Sequence, residues 1–184
     1  MNETALIKSI AYNAENGYSY IVESKFVKTN EKLKLKLLSA YNSQYTGGGD
    51  NALINQLRGT DNFRLGEWQG YNDTDFEAIV DLGEIKTINK IGIGFLQDIG
   101  SWIWMPKSVT FTCSDDGNVY KQLGTVENTV PADEYKSVNK DFEIKIPVTT
   151  RFIKIKALKF GTIPEWHIGA GNPSWIFADE ILVE

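Results

Sequence analysis

At 184 residues the chain is long enough to bury one domain's core without disulfide or metal staples, and too short for most multi-domain enzymes. Hydrophobic residues make up 42% and charged residues 23%, a globular composition that excludes a disordered tail or a fibre. With 19 Lys and Arg against 24 Asp and Glu, the formal charge of -5 offers no positive field to a nucleic-acid backbone or an anionic lipid leaflet, so neither partner is expected.

In chain order, two strand-like runs, Ala5 to Tyr12 and Tyr18 to Val27, flank the turn signal Glu15-Asn16-Gly17 and predict a β-hairpin. Two strands alone are marginally stable, so residues 1–30 read as an appendage to a main domain over residues 31–184. Leu33, Leu35 and Leu37 alternate with lysines as a half-buried strand. Tyr45-Thr46-Gly47-Gly48-Gly49-Asp50 breaks it, and the polar, aromatic stretch to Asn72 reads as a long loop where functional residues collect. Phe76, Ala78, Val80 and Leu82 then share one face, followed by Ile91, Ile93 and Phe95 separated by Gly92 and Gly94, which suggest close backbone approach or a bulge. Val109 to Ser114 runs into the turn Asp115-Asp116-Gly117-Asn118. Phe142, Ile144 and Ile146, then Ile153, Ile155 and Ala157, then Ile176 to Val183 complete the strand signals. No segment shows helical periodicity over three turns. Many short strands with Gly-rich connections predict an all-β protein, an antiparallel jelly-roll sandwich with an N-terminal hairpin.

The single Cys and single His restrict the chemistry. Cys113 shares a strand face with Val109 and Phe111 and reads as a buried structural thiol, and a zinc site of Cys and His clusters is not available. No nucleophile with a credible base is found, so the chain is not expected to be an enzyme, although carboxylate-only catalysis stays formally open. A sugar site needs an aromatic plane for the C–H face of a pyranose and fixed polar groups for its hydroxyls. Three loop segments supply that mixture: one holds Arg64, Glu67 and Trp68, another Asp98, Trp102 and Trp104, and the third Trp166 and His167. The competing reading places Trp68 and Trp166 under loops as packing. No leader-like start and no run of membrane-span length appear, so no signal peptide and no membrane contact are expected.

The run Ala52-Leu53-Ile54-Asn55-Gln56-Leu57-Arg58-Gly59-Thr60, then Glu67-Trp68-Gln69-Gly70, then Ile79-Val80-Asp81-Leu82-Gly83, resembles the opening of a discoidin domain, the coagulation factor 5/8 type C module. Further blocks, Phe95-Leu96-Gln97-Asp98 with Ser101-Trp102-Ile103 and Met105-Pro106-Lys107-Ser108-Val109, then Ser114-Asp115-Asp116-Gly117, are similar to the version at the C-terminus of bacterial family 20 glycoside hydrolases, the β-N-acetylhexosaminidases. Glu165-Trp166-His167-Ile168-Gly169 and Trp175-Ile176-Phe177-Ala178-Asp179-Glu180-Ile181 agree with it. The N-terminal hairpin is similar to the last strands of the small β domain preceding this module in such enzymes.

The resemblance implies an eight-stranded galactose-binding-like jelly roll, related to family 32 carbohydrate-binding modules, that holds a galactose- or N-acetylhexosamine-type glycan near a parent catalytic domain. It implies secretion or a periplasmic location as part of a longer protein. It also implies a structural Ca²⁺ ion held by the carbonyls of Ala52 and Leu57, the side chains of Asn55 and Thr60, the carbonyl of Asp179 and the carboxylate of Glu180. Asn55 departs from the family's usual Asp and removes one negative charge from that set. The alternatives are a ligand-free domain that stabilises its parent, and a protein-adhesion module.

Overall fold

Alternating apolar residues become strands throughout the computed structural model, which describes residues 4–26, 28 and 32–184. Contacts divide the chain into two units, Met1–Asn30 and Glu31–Glu184, with the boundary itself outside the described residues.

In the first unit, β1 (Ala5–Ser9) pairs antiparallel with β4 (Val22–Phe26), and β2 (Tyr12–Asn13) with β3 (Gly17–Tyr18). Asn13 Oδ1 accepts the Glu15 N–H at 2.8 Å, and Gly17 takes a φ of +76°, which only glycine adopts without cost. The two predicted runs are interrupted rather than continuous, because Ser19 Oγ takes the Ala11 N–H at 2.9 Å in place of a ladder bond. Val27, the end of the second predicted run, lies outside the described residues. Register places Ala5 opposite Phe26, Ile7 opposite Ser24 and Ser9 opposite Val22 on one face. Leu6 and the Lys8 to Glu23 ion pair, 2.6 Å, lie on the other.

The second unit is the sandwich. It contains β5 (Lys34–Leu37), β6 (Gln69–Asn72), β7 (Phe76–Gln97), β8 (Ser108–Ser114), β9 (Lys121–Glu127), β10 (Val138–Leu158) and β11 (Trp175–Val183). The first half of β7 pairs with β5 and with the second half of β10, which also pairs with β8, and β8 with β9. The second half of β7 pairs with β11 and with the first half of β10, and β11 pairs with β6. β7 and β10 therefore run through both sheets, and this is why two sets of apolar positions that read as separate strands belong to one.

A one-residue slip along a strand flips which alternate residues point inward, and both long strands show such a change between their two halves. On β7 the inward residues are even-numbered from Phe76 to Leu82 and odd-numbered from Ile91 to Phe95. On β10 they change from Phe142 to Ile153, Ile155 and Ala157, across register shifts between Lys145 and Val148 and between Thr150 and Phe152. Gly83, at φ +83°, starts the corner, where a Cβ would sit 3.0 Å from the Lys32 carbonyl oxygen. Arg151 clamps it from β10, donating from Nε to Asp81 Oδ1 at 2.9 Å and from Nη2 to Oδ2 at 3.0 Å.

Between the sheets, Tyr71, Phe76, Phe95 and Phe142 form an edge-to-face series with successive centroids 5.2, 6.3 and 5.6 Å apart. Val80, Phe111, Ile153, Ile155 and Ile176 fill the space around them. Cys113 is buried on the face of Val109 and Phe111, as its alternation predicts.

Candidate functional site

Several connecting segments converge where β7 ends and β11 begins. Ile103 bridges Trp175, and the Trp175 N–H donates to the Trp102 carbonyl at 2.9 Å. Gln97, fully buried at the end of β7, donates from Nε2 to the Pro131 carbonyl at 2.8 Å, drawing in the connection between β9 and β10. Tyr45 packs edge-on against Phe63 at 5.9 Å and Trp175 at 5.4 Å, which links the loop before β6 to the same cluster.

Of the residues expected to meet a sugar, some are buried, and a buried ring has no face to offer. Trp68 is 1% exposed, and its Nε1 donates to the Thr60 carbonyl at 2.9 Å; a Cβ on Gly59 would collide with its ring. Trp104 is 0% exposed, stacks on Phe160 at 5.4 Å and donates from Nε1 to the Ala132 carbonyl. His167 is 4% exposed, and its Nδ1 accepts the Gly169 N–H at 3.0 Å, which ties the turn. These three lie at the loop cluster and serve as its packing.

Glu67 and Asp98 also have local work: Glu67 Oε2 accepts the Thr60 N–H at 2.8 Å, and Asp98 Oδ2 accepts from Ser101 Oγ at 3.2 Å. Trp102 and Trp104 do not share a strand face as their spacing suggests. Trp102 ends a single 3₁₀ turn (Ile99–Ser101) in the left-handed region at φ +67°, half-buried, with Gly169 lying against its indole.

Three open features stand out among the described residues, one of them a recess of about 550 Å³ along β5 and the segment after it, lined by residues 35–41 and Asp50. Trp166 is 51% exposed and meets the edge of Tyr135, 63% exposed, at 6.5 Å, with the His167 ring behind both. Separately, Gln44, Tyr45, Phe63, Arg64 and Gly66 line a recess of about 380 Å³, within the usual range for small-ligand sites. The Arg64 guanidinium lies over the Phe63 ring at 4.5 Å, and Gln44 Nε2 donates to the Tyr45 hydroxyl at 3.1 Å. The sequence points to Arg64 but not to Tyr45 or Tyr135, since nothing in one dimension distinguishes an exposed loop aromatic from a packed one.

The residues implied as calcium ligands gather where a 3₁₀ turn (Ala52–Ile54) meets β11. Glu180 is 3% exposed; it accepts backbone N–H bonds from Asn55 and Gln56, and its Oε2 has no hydrogen-bond partner. Burial pushes its carboxyl up to about 8. A buried carboxylate oxygen without a donor fits a cation, so the donor set is compatible with Ca²⁺ at Glu180. Asn55 fits less well, because its Oδ1 already accepts the Leu57 N–H at 2.7 Å. Among the described residues no group of three or more His, Cys, Asp or Glu side chains is arranged to hold a metal ion.

Next to it, Asp179 turns away to Arg58. Arg58 donates from Nε to Asp179 Oδ2 at 2.7 Å and from Nη2 to Asp141 Oδ1 at 2.5 Å, and Gly59 N–H reaches Asp179 Oδ2 at 2.9 Å. Burial raises the Asp179 carboxyl against the opposing pull of Arg58.

The architecture is a jelly-roll β-sandwich carrying its recess on the connecting loops. The chain belongs to the F5/8 type C domain family, whose profile matches residues 38–176. In fold it is similar to CpGH89CBM32-5 from Clostridium perfringens, solved in complex with GalNAc-β-1,3-galactose, at 16% identity over 83% of this chain and 94% of that chain, TM-score 0.51. It is also similar to chitosan-binding module 1 from a chitosanase/glucanase of Paenibacillus sp. IK-5, at 11% identity over 83% and 95%, TM-score 0.52. The CBM32 of AlyQ, in complex with 4,5-unsaturated mannuronic acid, matches at 13% identity over 82% and 93%, TM-score 0.51. No curated protein matches the chain. Among the described residues no helix is long and apolar enough to cross a membrane.

Proposed function

We propose that this chain is a non-catalytic glycan-binding module that holds a sugar for a parent glycoside hydrolase outside the cytoplasm. The observation that carries the reading is the recess of Gln44, Tyr45, Phe63, Arg64 and Gly66, which sets the half-buried Tyr45 ring beside hydrogen-bonding groups on the loops, with the buried Phe63 ring beneath Arg64. That is the mixture a pyranose needs, with C–H faces against rings and hydroxyls against fixed donors. Trp166 with Tyr135 supplies a second aromatic surface for a longer glycan. Membership of the F5/8 type C family supports the reading, as do sugar-bound relatives in fold. The exposed apolar face of the hairpin, with Ile7, Val22 and Phe26, supports reading it as the last strands of a small β domain of the parent, of the kind found in family 20 hydrolases.

Calcium belongs to the same proposal. Glu180 would supply the carboxylate, with the carbonyls of Ala52, Leu57 and Asp179 and the side chains of Asn55 and Thr60. The ion would pin the loop to β11 as a structural cross-link. Added calcium then raises the melting temperature, chelation reverses the rise, and Glu180→Gln abolishes the response; a melting temperature indifferent to calcium rules the ion out.

Tryptophan fluorescence titrated with galactose, N-acetylgalactosamine and N-acetylglucosamine, followed by a wide glycan panel, tests the binding itself. Saturable change that disappears in Tyr45→Ala supports it. Silence across the panel leaves the ligand-free structural domain, which the burial of Trp68, Trp104 and His167 favours.

A further inference from the structure

The side-chain polar groups of the recess are mostly donors, with the Gln44 Oε1 carbonyl as an acceptor among them. The Tyr45 hydroxyl oxygen accepts from Gln44 Nε2, which leaves the Tyr45 O–H proton to point elsewhere, and the second Gln44 amide N–H is a further donor. Arg64 adds a planar fork of N–H groups held over the Phe63 ring at 4.5 Å. Among the described residues no carboxylate lies within ion-pairing distance of Arg64. The nearest acids along the chain, Asp61 and Glu67, stand three residues either side of Arg64 and neither pairs with it; Glu67 Oε2 accepts the Thr60 N–H instead. No acidic side chain lines the recess.

A neutral sugar hydroxyl both donates and accepts, so it uses such a rim only in part. A carboxylate is acceptor-only and planar, and it matches the guanidinium fork with two parallel bonds. We infer that the recess selects a sugar unit carrying a carboxylate, a uronic acid, over its neutral counterpart. The inference rests on the glycan-binding reading and names the ligand class for that site. With a formal charge of -5, the molecule as a whole repels polyanions, so attraction to an acidic glycan must come from this local group and not from a general field.

The test is calorimetric titration of the full chain with galacturonic and glucuronic acid oligomers, with galactose and glucose oligomers, and with a 6-sulfated galactoside, for the wild type and Arg64→Gln. Circular dichroism confirms that the variant, altered at an exposed side chain, is folded. Uronate binding about tenfold tighter than neutral binding, weakening as salt rises, is expected, and the ratio should fall to about one in Arg64→Gln. Neutral oligomers binding as well as uronates overturn the inference and leave the glycan-binding reading intact. A sulfated galactoside as tight as the uronates, or a uronate preference that survives Arg64→Gln, overturns it as well. Absence of binding to any of these sugars overturns the reading on which it stands.

Discussion

Trp104 and Trp166 flank the same histidine ring, at 5.1 and 5.7 Å, and yet their removal has opposite signatures. Trp104 is buried, stacked and hydrogen-bonded, so Trp104→Ala leaves a cavity and an unpaired Ala132 carbonyl; chemical denaturation should show a loss of about 3–5 kcal/mol. Trp166→Ala removes a ring already half in water and should leave the melting temperature nearly unchanged while weakening glycan binding. Asp116 gives a residue-level pH dependence. Backbone N–H groups of Asn118 and Val119, with Ser114 Oγ, bond its carboxylate and hold it down to about 2. A group depressed in the folded state stabilises above its unfolded value of about 4 and loses that contribution as pH falls through the folded value. NMR titration should place the Asp116 midpoint near 2, and Asp116→Ala should flatten the acid limb of the stability curve between about 4 and 2; a midpoint near 4 would refute this.

At the element scale the glycines of β7 show what alternation can and cannot reveal. Gly92 and Gly94 were read as close approach or a bulge, and close approach is what they provide. A Cβ on Gly94 would stand 2.1 Å from Asp179 Oδ1 and 2.6 Å from Arg58 Nη2, so the ion-paired cluster occupies the space of a side chain. Gly94→Ala must displace Arg58 or Asp179, and a destabilisation of about 1–3 kcal/mol by thermal melting is expected; a neutral effect would mean that the cluster is slack. The strands themselves were legible because apolar residues alternate wherever one face is buried. The continuity of β7 was not legible, since residues 83–90 carry a Gly and mostly polar residues, with Ile85 and Ile88 three apart and so out of strand alternation, which is what a connecting loop looks like. They remain a strand because β10 pairs with them through Ile88, Thr87 and Lys86. β6 was hidden for a related reason: only four residues long, it owes its pairing to β11, more than a hundred positions away. The loop tips were read least well, because burial of Trp68 or exposure of Tyr135 is decided by which segments meet in space.

For the whole molecule, the buried clusters of the sandwich draw, among the described residues, on Leu33 onward and on none from the hairpin. Removing residues 1–30 should therefore leave the sandwich's unfolding transition in place, and the separated hairpin should be largely unfolded in water, as two-stranded ribbons are; a collapse of the sandwich transition would contradict the division. The passage of β7 and β10 through both sheets also has a cost in time. β7 can pair with β5 as soon as both have left the ribosome, but its partners on β10 lie up to as far along the chain as Ala157 is from Phe76, and those on β11 at least that far. At synthesis rates of about 5–20 residues per second, β7 waits on the order of seconds with its apolar alternation uncovered. Nascent chains arrested before Val138 are therefore expected to cross-link to chaperones that shield extended segments, and faster translation between Gln97 and Val138 should reduce that cross-linking.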